Sequence, residues 1–340
     1  MTLCTRADEI SDIAFGFMAS KALFAALRYD VFTHLAAGPC TAATLAEATG
    51  LHPLRAETLL TALAGLGLVA SDDGCFANSP AAEAFLVKGA KYDFGDYLRR
   101  QVGEQMYGLL DQVEDALGDR LPQEATASYA DWFSDPDQAR LYSESQHAGS
   151  LGPARQLARA LDLSGARRLL DVGGGTGAFA ITLCEAFPDL SATLVDFPNV
   201  AAVGREFVAR AGLSDRIGYV EGDALTAPWP EDQDVILMSY LLSGVPAEAH
   251  DALIRRAHGH LRPGGLLLIH DFVVHADRSG PRLAALWQLQ HTAFTPRARS
   301  VDAAWLASAL AGAGFATPDI APLIPEMTML ARATRPAASV

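Results

Sequence analysis

The stretch Arg168-Leu169-Leu170-Asp171-Val172-Gly173-Gly174-Gly175-Thr176-Gly177-Ala178 decides the fold. Arg168–Val172 reads as a short buried strand, and the apolar run Ala178–Ala186 predicts a helix. The glycines between them let the chain turn sharply and let its backbone approach a ligand. Alone, this turn is a weak signal, because dinucleotide sites share it. Three acids sharpen it. Asp171 lies two residues before the first glycine, and Asp196 ends the next strand, Ala192–Asp196. Asp223, in Glu221-Gly222-Asp223-Ala224, follows a third strand, Ile217–Val220. All three fall at carboxyl ends of strands, where open α/β sheets bind ligands.

Downstream the alternation continues. It predicts helix Val200–Ala211, strand Val235–Met238, helix Ala247–His260 and, after Pro263-Gly264-Gly265, strand Leu266–Phe272. Strands alternating with helices mean a parallel sheet covered on both faces. A helix over Ala303–Ala311 then leads to two late strands, Phe315–Ala321 and Met327–Arg332. The glycine turn begins half-way along the chain, whereas a dinucleotide site usually opens the first domain. A crevice of three carboxylates without a phosphate cradle suits S-adenosylmethionine, which carries a sulfonium, an ammonium and a ribose diol.

Upstream, residues 8–35 read as helix, apolar on several sides, which suits burial in a larger interface. Thr41 can cap a short helix that Gly50 ends, and Pro53 suits the first turn of the next. Asp72-Asp73-Gly74 makes the turn of a hairpin between Gly67–Ala70 and Cys75–Ala77. Helix, turn, helix, hairpin is a winged-helix order. Its second helix offers one early base, Arg55, where a groove reader needs several, so packing is the expected use. Residues 92–160 read as helical and acidic, punctuated by Pro122 and Pro136, and as a bridge between domains.

The 340 residues suggest two domains. The net charge of −14 argues against a general nucleic-acid binder and against adsorption to anionic membranes. No uncharged apolar stretch of about 20 residues stands out, so no membrane span is expected. The start, with Arg6, Asp8 and Glu9, does not read as a signal peptide. The four cysteines are far apart in sequence and form no CxxC pair, which fits a reducing, cytoplasmic setting without a zinc site.

With these residues in place, Arg168–Gly265 resembles the class I S-adenosylmethionine-dependent methyltransferases. The whole chain resembles the plant caffeate-type and bacterial small-molecule O-methyltransferases. The resemblance implies a Rossmann-like α/β catalytic domain over 161–340, behind a mainly helical, winged-helix-like dimerisation domain over 1–105. A helical linker over 106–160 would contribute to the substrate pocket, and the chain would act as a homodimer on a small aromatic molecule. Carried over by position, Gly173 contacts the methionine part of S-adenosylmethionine at the strand end marked by Asp171, and Gly175 belongs to the same cofactor site. Asp196 and Phe197 meet the ribose and adenine edge, Asp223 and Ala224 the adenine, and Ser239 stands where a lysine is often seen.

The chain departs from that family at one place. After the fourth strand the family's O-methylating members have a Leu-His-Asp-Trp run whose His is the base. Here it reads Leu241-Leu242-Ser243-Gly244-Val245-Pro246, and neither Ser243 nor Gly244 can act as a base. A downstream family glutamate becomes Ala298, while the acid after the fifth strand remains as Asp271. Carbon methylation is the first reading of this loss, and a bacteriochlorophyllide C-methyltransferase resembles the chain in lacking the pair. Next come O- or N-methylation with a relocated base, and then non-methylating chemistry on the same fold. A winged-helix regulator and a nicotinamide dehydrogenase are the other classes. The replacement bases to consider are His291, His147 and Tyr240, with Asp271 nearby. Tyr142, Gln146, Trp287 and Phe294 are the expected substrate contacts. His270 should point away from Asp271's side of its strand. His250, His258 and His260 are expected at the surface. Asp271 and His291 are too few ligands for a metal.

Overall fold

In a computed structural model, residues 3–121, 128–295 and 297–337 are described. Pro122, read above as punctuation, lies outside them. The chain divides into two compact units, Met1–Tyr107 and Gly108–Val340.

In the first unit, α1 (Ala7–Arg28) and α2 (Val31–Ala36) are separated by a break at Asp30, which adopts a left-handed conformation (φ 51°). Strand β1 (Cys40–Thr41) precedes α3 (Ala42–Thr49), whose first turn is capped by Thr41 Oγ1 accepting from the Thr44 amide at 3.2 Å. Helix α4 (Pro53–Gly65) leads into the hairpin of β2 (Val69–Asp72) and β3 (Cys75–Asn78). Strand β1 joins that hairpin as a third strand, which the sequence reading missed. Helix α5 (Pro80–Phe85) and a π-helical segment, Tyr97–Met106, complete the unit. Its core gathers Phe32, Leu45, Leu60, Leu63 and Phe76. Arg55 is exposed on α4. By length and composition alone α1 is apolar enough to cross a membrane, although it carries Asp8, Glu9, Asp12, Lys21 and Arg28. Ile10, Ile13, Phe15, Phe17 and Met18 are exposed along it.

The stretch read as one helical bridge is broken into α6 (Tyr107–Leu110), α7 (Val113–Leu117), α8 (Tyr129–Phe133) and the long α9 (Pro136–Ala160). The second unit is built on a seven-stranded sheet. Its strands are β4 (Arg168–Val172), β5 (Ser191–Asp196), β6 (Ile217–Glu221), β7 (Gln233–Ser239) and β8 (Leu261–Asp271), with β11 (Asp319–Ile324) and β12 (Thr328–Thr334). A separate parallel pair, β9 (Val273–Val274) and β10 (Val301–Asp302), lies outside it. The sheet order is β11-β12-β8-β7-β4-β5-β6; the five strands from β8 to β6 run parallel, β12 runs antiparallel to β8, and β11, antiparallel to β12, runs in the direction of the five. Around it lie α10 (Ala178–Ala186), α11 (Pro198–Arg210), α12 (His250–His260), α13 (Arg282–Phe294) and α14 (Ala303–Gly312).

Two separate apolar clusters follow from strand alternation. Leu169, Leu194 and Leu237 belong to one, and Leu170, Val172, Ile236 and Met238 to the other. Both faces of the central strands are therefore buried, as the unbroken apolar runs require. Strand β8 begins at Leu261, five residues earlier than expected. Pro263-Gly264-Gly265 does not precede the strand but forms an irregularity inside it, where the register against β7 shifts between Gln233 and Val235. Arg262 bonds the Asp234 carboxylate there, and Gly264 and Gly265 exchange backbone bonds with Arg335. The chain order reverses at β4, with β5 on one side and β7 on the other, so the glycine turn opens at the topological switch point.

Candidate active site

One cavity of about 340 Å³ opens at the carboxyl ends of the parallel strands. Its floor is the turn after β4. Gly173 (φ 72°) and Gly175 (φ 57°) adopt the left-handed conformation that L side chains rarely take, so the turn needs glycine there. A Cβ on Gly174 would stand 2.8 Å from Leu194 and 3.1 Å from the Asp171 carboxyl carbon. The turn is braced from behind. Tyr219 Oη donates to the Gly175 carbonyl (3.0 Å), and the Gly175 amide donates to Asp196 Oδ2 (2.7 Å).

Asp171 and Asp196 are buried in this floor. Burial, with Asp196 close by, pushes the Asp171 carboxyl up to about 7. Burial also raises Asp196, to about 6, against amide bonds from Gly175 and Phe197 that favour its charged form. Asp171 Oδ2 has no hydrogen-bond partner in the protein. Asp223 lines the next corner, where its Oδ1 accepts from the Leu225 amide at 2.8 Å. Two buried carboxyls, one with an unpaired oxygen, favour a ligand that brings positive charge and donors.

The other end is aromatic. Tyr129, Phe133 and Tyr142 line it, with Ser143, Gln146 and Ser150 along one face of α9. Ser143 Oγ and Gln146 Oε1 find no partner in the protein. Helices α8 and α9 meet in a cluster of Phe133, Tyr129, Trp132, Tyr142 and Phe197.

The structure therefore brings Asp171, Gly173, Gly175, Asp196, Phe197, Asp223, Ala224, Ser239, Tyr240, Tyr142 and Gln146 to one cavity wall. The other candidates lie elsewhere. His147 Nδ1 shares a 2.7 Å hydrogen bond with Thr176 Oγ1, its ring packs 4.0 Å from that of Phe207, and burial holds its pKa down at about 4. His291 is buried, and its pKa is also depressed to about 4. Its ring lies 6.3 Å from Tyr129, and Tyr129 is the one that lines the cavity. Phe294 packs edge-on to Tyr129 at 4.6 Å, as a support for the wall and not part of it. Trp287 stacks on Phe272 at 4.1 Å. Asp271 is buried below the loop after β7, its Oδ2 accepting from the Ser243 amide at 3.0 Å.

His270 faces away from Asp271, as alternation along a strand dictates, and it closes a buried chain. Its Nδ1 pairs with Ser239 Oγ and its Nε2 with Thr328 Oγ1, both at 2.9 Å. It stands directly behind cavity-lining Ser239. His250 is fully buried, not at the surface, because its Nε2 donates to the Leu242 carbonyl (2.8 Å). Nothing in the local sequence marks that bond. His258 and His260 are half-buried. Tyr240 adopts a left-handed conformation (φ 56°) as β7 leaves the sheet, with its amide bonded to the His270 carbonyl. Such strain in a non-glycine residue tends to occur at functional sites. Sequence reasoning also missed Tyr129, Thr176 and Tyr219. No local pattern marks them, since each acts through partners tens of residues away.

A family model described as the O-methyltransferase domain matches residues 104–316. The chain belongs to the S-adenosylmethionine-dependent O-methyltransferase family. A second model, the O-methyltransferase dimerisation domain, matches residues 11–88 and so covers most of α1. A 3-hydroxy-5-methyl-1-naphthoate 3-O-methyltransferase of Streptomyces sahachiroi is 34% identical over 82% of this chain and 81% of that protein. An N,N-dimethyltransferase, OxyT, of Streptomyces rimosus is 30% identical over 79% of each. Among solved structures, the S-adenosylmethionine-dependent methyltransferase SibL superposes with a TM-score of 0.79 at 27% identity, covering 97% of this chain and all of that one. The two Streptomyces enzymes are named for transfer to oxygen and to nitrogen, so the expectation of carbon methylation has no support from them.

The cavity fits the cofactor. The unpaired Asp171 oxygen suits an ammonium, and Asp196 keeps lone pairs for a ribose diol beside the bonds it already accepts. Among the described residues no lysine, arginine or histidine lines the cavity to repel a sulfonium.

Proposed function

We propose that this enzyme methylates a hydroxyl group on a small aromatic natural product. The supporting observation is a single cavity with three aspartates at one end and aromatic walls without formal charge at the other. S-adenosylmethionine, when bound, supplies an electrophilic methyl group. Asp171, Asp196 and Asp223 hold its charged and polar parts. Tyr129, Phe133 and Tyr142 hold a planar acceptor, and the unpaired Ser143 Oγ and Gln146 Oε1 orient its substituents.

We assign no side chain as a strong base. The ionisable groups that line the cavity are Asp171, Asp196, Asp223, Tyr129, Tyr142 and Tyr240, among the described residues. The acceptor is one that gives its proton to solvent, and the rate rests on orientation beside the methyl group. Tyr240, which also lines the cavity, steers the reacting oxygen in this reading. A nitrogen acceptor is the second reading, favoured by the OxyT relationship. We also propose a cytoplasmic homodimer that buries the exposed apolar residues of α1.

The test is turnover with a labelled methyl donor against naphthols, hydroxynaphthoates and aromatic amines, followed by product NMR. A methoxy signal supports the reading. An aryl-methyl signal from every accepted substrate overturns it in favour of carbon.

A further inference from the structure

Gly244 lines the cavity where the chain turns after β7, and the Tyr129 ring lies against it. A Cβ on Gly244 would stand 3.1 Å from Tyr129 Cε2 and 3.8 Å from the hydroxyl oxygen. Even the smallest side chain would therefore press on the ring.

The ring has little room to yield. Phe294, itself buried, meets it edge-on at 4.6 Å. Phe133 lies 5.6 Å away and Tyr142 6.1 Å. The short helix that carries Tyr129 is fastened at both ends. At its start, Ser128 Oγ accepts from the Asp131 amide, and Asp131 Oδ2 accepts from the Ser128 amide and hydroxyl. At its end, Asn199 Nδ2 donates to the carbonyls of Phe133 and Ser134 at 2.9 and 3.1 Å. Asn199 belongs to α11, the helix that follows Phe197. The aromatic wall is thus tied to the element that bounds the cofactor end.

We propose that Tyr129, seated on Gly244, is the specificity-determining residue of the acceptor end. Glycine at 244 exists to admit this ring, and the ring sets the width of the slot for a planar acceptor. This rests on the reading above that an aromatic acceptor lies beside α8.

The experiment is a double-mutant cycle of Gly244→Ala and Tyr129→Ala in the full chain, with 3-hydroxy-2-naphthoate as a two-ring probe and 1-hydroxyanthraquinone as a three-ring probe. Gly244→Ala should lower kcat/KM for the naphthoate about tenfold, chiefly through KM, and leave S-adenosylmethionine affinity by calorimetry within about twofold. In the Tyr129→Ala background the same change should cost less than about twofold, because the clash is gone. Tyr129→Ala should also raise the preference for three rings over two by about fivefold or more. An equal cost of Gly244→Ala in both backgrounds overturns the pairing. If Tyr129→Ala does not fold, Tyr129→Leu takes its place in the cycle.

If the wild-type enzyme binds S-adenosylmethionine yet transfers no methyl group to either probe, it is the aromatic-hydroxyl reading that fails. The pairing is then read from melting temperatures. Gly244→Ala should lower Tm by about 2–4 °C beside Tyr129 and by less than about 1 °C without it. Equal shifts overturn the proposal.

Discussion

The two ends of the cavity are built by opposite means. The cofactor end is made of backbone and carboxylates at the ends of adjacent parallel strands, so its residues come from three short, ordered segments. The acceptor end is made of rings on α8 and α9, held by contacts with residues as distant as Asn199 and Phe294. One end binds charge, and the other binds shape. Changes at the first should move cofactor affinity and spare the acceptor; changes at the second should do the reverse.

Asp196→Ala is the sharpest test of that division. Asp196 takes amide bonds from Gly175 and Phe197, so its loss removes a charged acceptor and loosens the turn as well. A charge-assisted hydrogen bond contributes about 1.5–3 kcal/mol, so S-adenosylmethionine affinity should fall by about tenfold or more. Calorimetry checks it, and an unchanged Kd would remove Asp196 from the site. At the other end, Tyr142→Ala should raise acceptor KM by about tenfold while cofactor Kd stays within about twofold. Equal losses at both ends would dissolve the distinction.

The same contrast explains what could be read in advance. Strand Arg168–Val172, helix Ala178–Ala186 and the acids Asp171, Asp196 and Asp223 follow from local rules: alternation, turn chemistry and the position of strand ends. The late strands were likewise visible, though displaced by one to four residues at their starts. The acceptor wall was not. Tyr129 sits in a stretch that reads as an acidic bridge, and its place depends on Gly244 more than a hundred residues away. His291 and Trp287 both lie on α13, and the direction each faces is settled by tertiary packing. The histidines of α12 were expected at the surface, and the His250 bond to the Leu242 carbonyl, made to a loop eight residues upstream, is a tertiary contact that no local rule supplies.

A pH experiment probes the cofactor end alone. Asp171 and Asp196 have folded pKa values raised from 3.8 to about 7 and about 6, chiefly by burial. The folded protein therefore holds their protons more tightly than the unfolded chain. Their contribution to stability is fully present below pH ~4 and is lost as pH rises through 6 and 7. A bound ammonium favours the ionised carboxylate, so S-adenosylmethionine should release protons on binding near pH 6. Its thermal stabilisation should grow between pH 5 and 8. Calorimetry in buffers of different ionisation enthalpy measures the protons. Proton uptake, or no exchange at all, would place the ammonium elsewhere.

The smallest effect expected is the loss of His291, and it tests whether the acceptor end hides a base. His291 is buried behind Tyr129, outside the residues that line the cavity. Burial holds its pKa at about 4, so it is neutral at pH 7 but a weak proton acceptor, far from the near-neutral value that serves a general base. His147 is in a similar position: its pKa is near 4 and its Nδ1 is bonded to Thr176. His291→Phe keeps the ring's bulk and removes both nitrogens. It should leave kcat/KM within about threefold, whereas removing a general base costs about 10²–10⁴-fold. A hundredfold loss confined to kcat, with cofactor affinity intact, would mean that the wall opens during turnover and lets His291 reach the acceptor. In that case the acceptor end would bind both shape and protons.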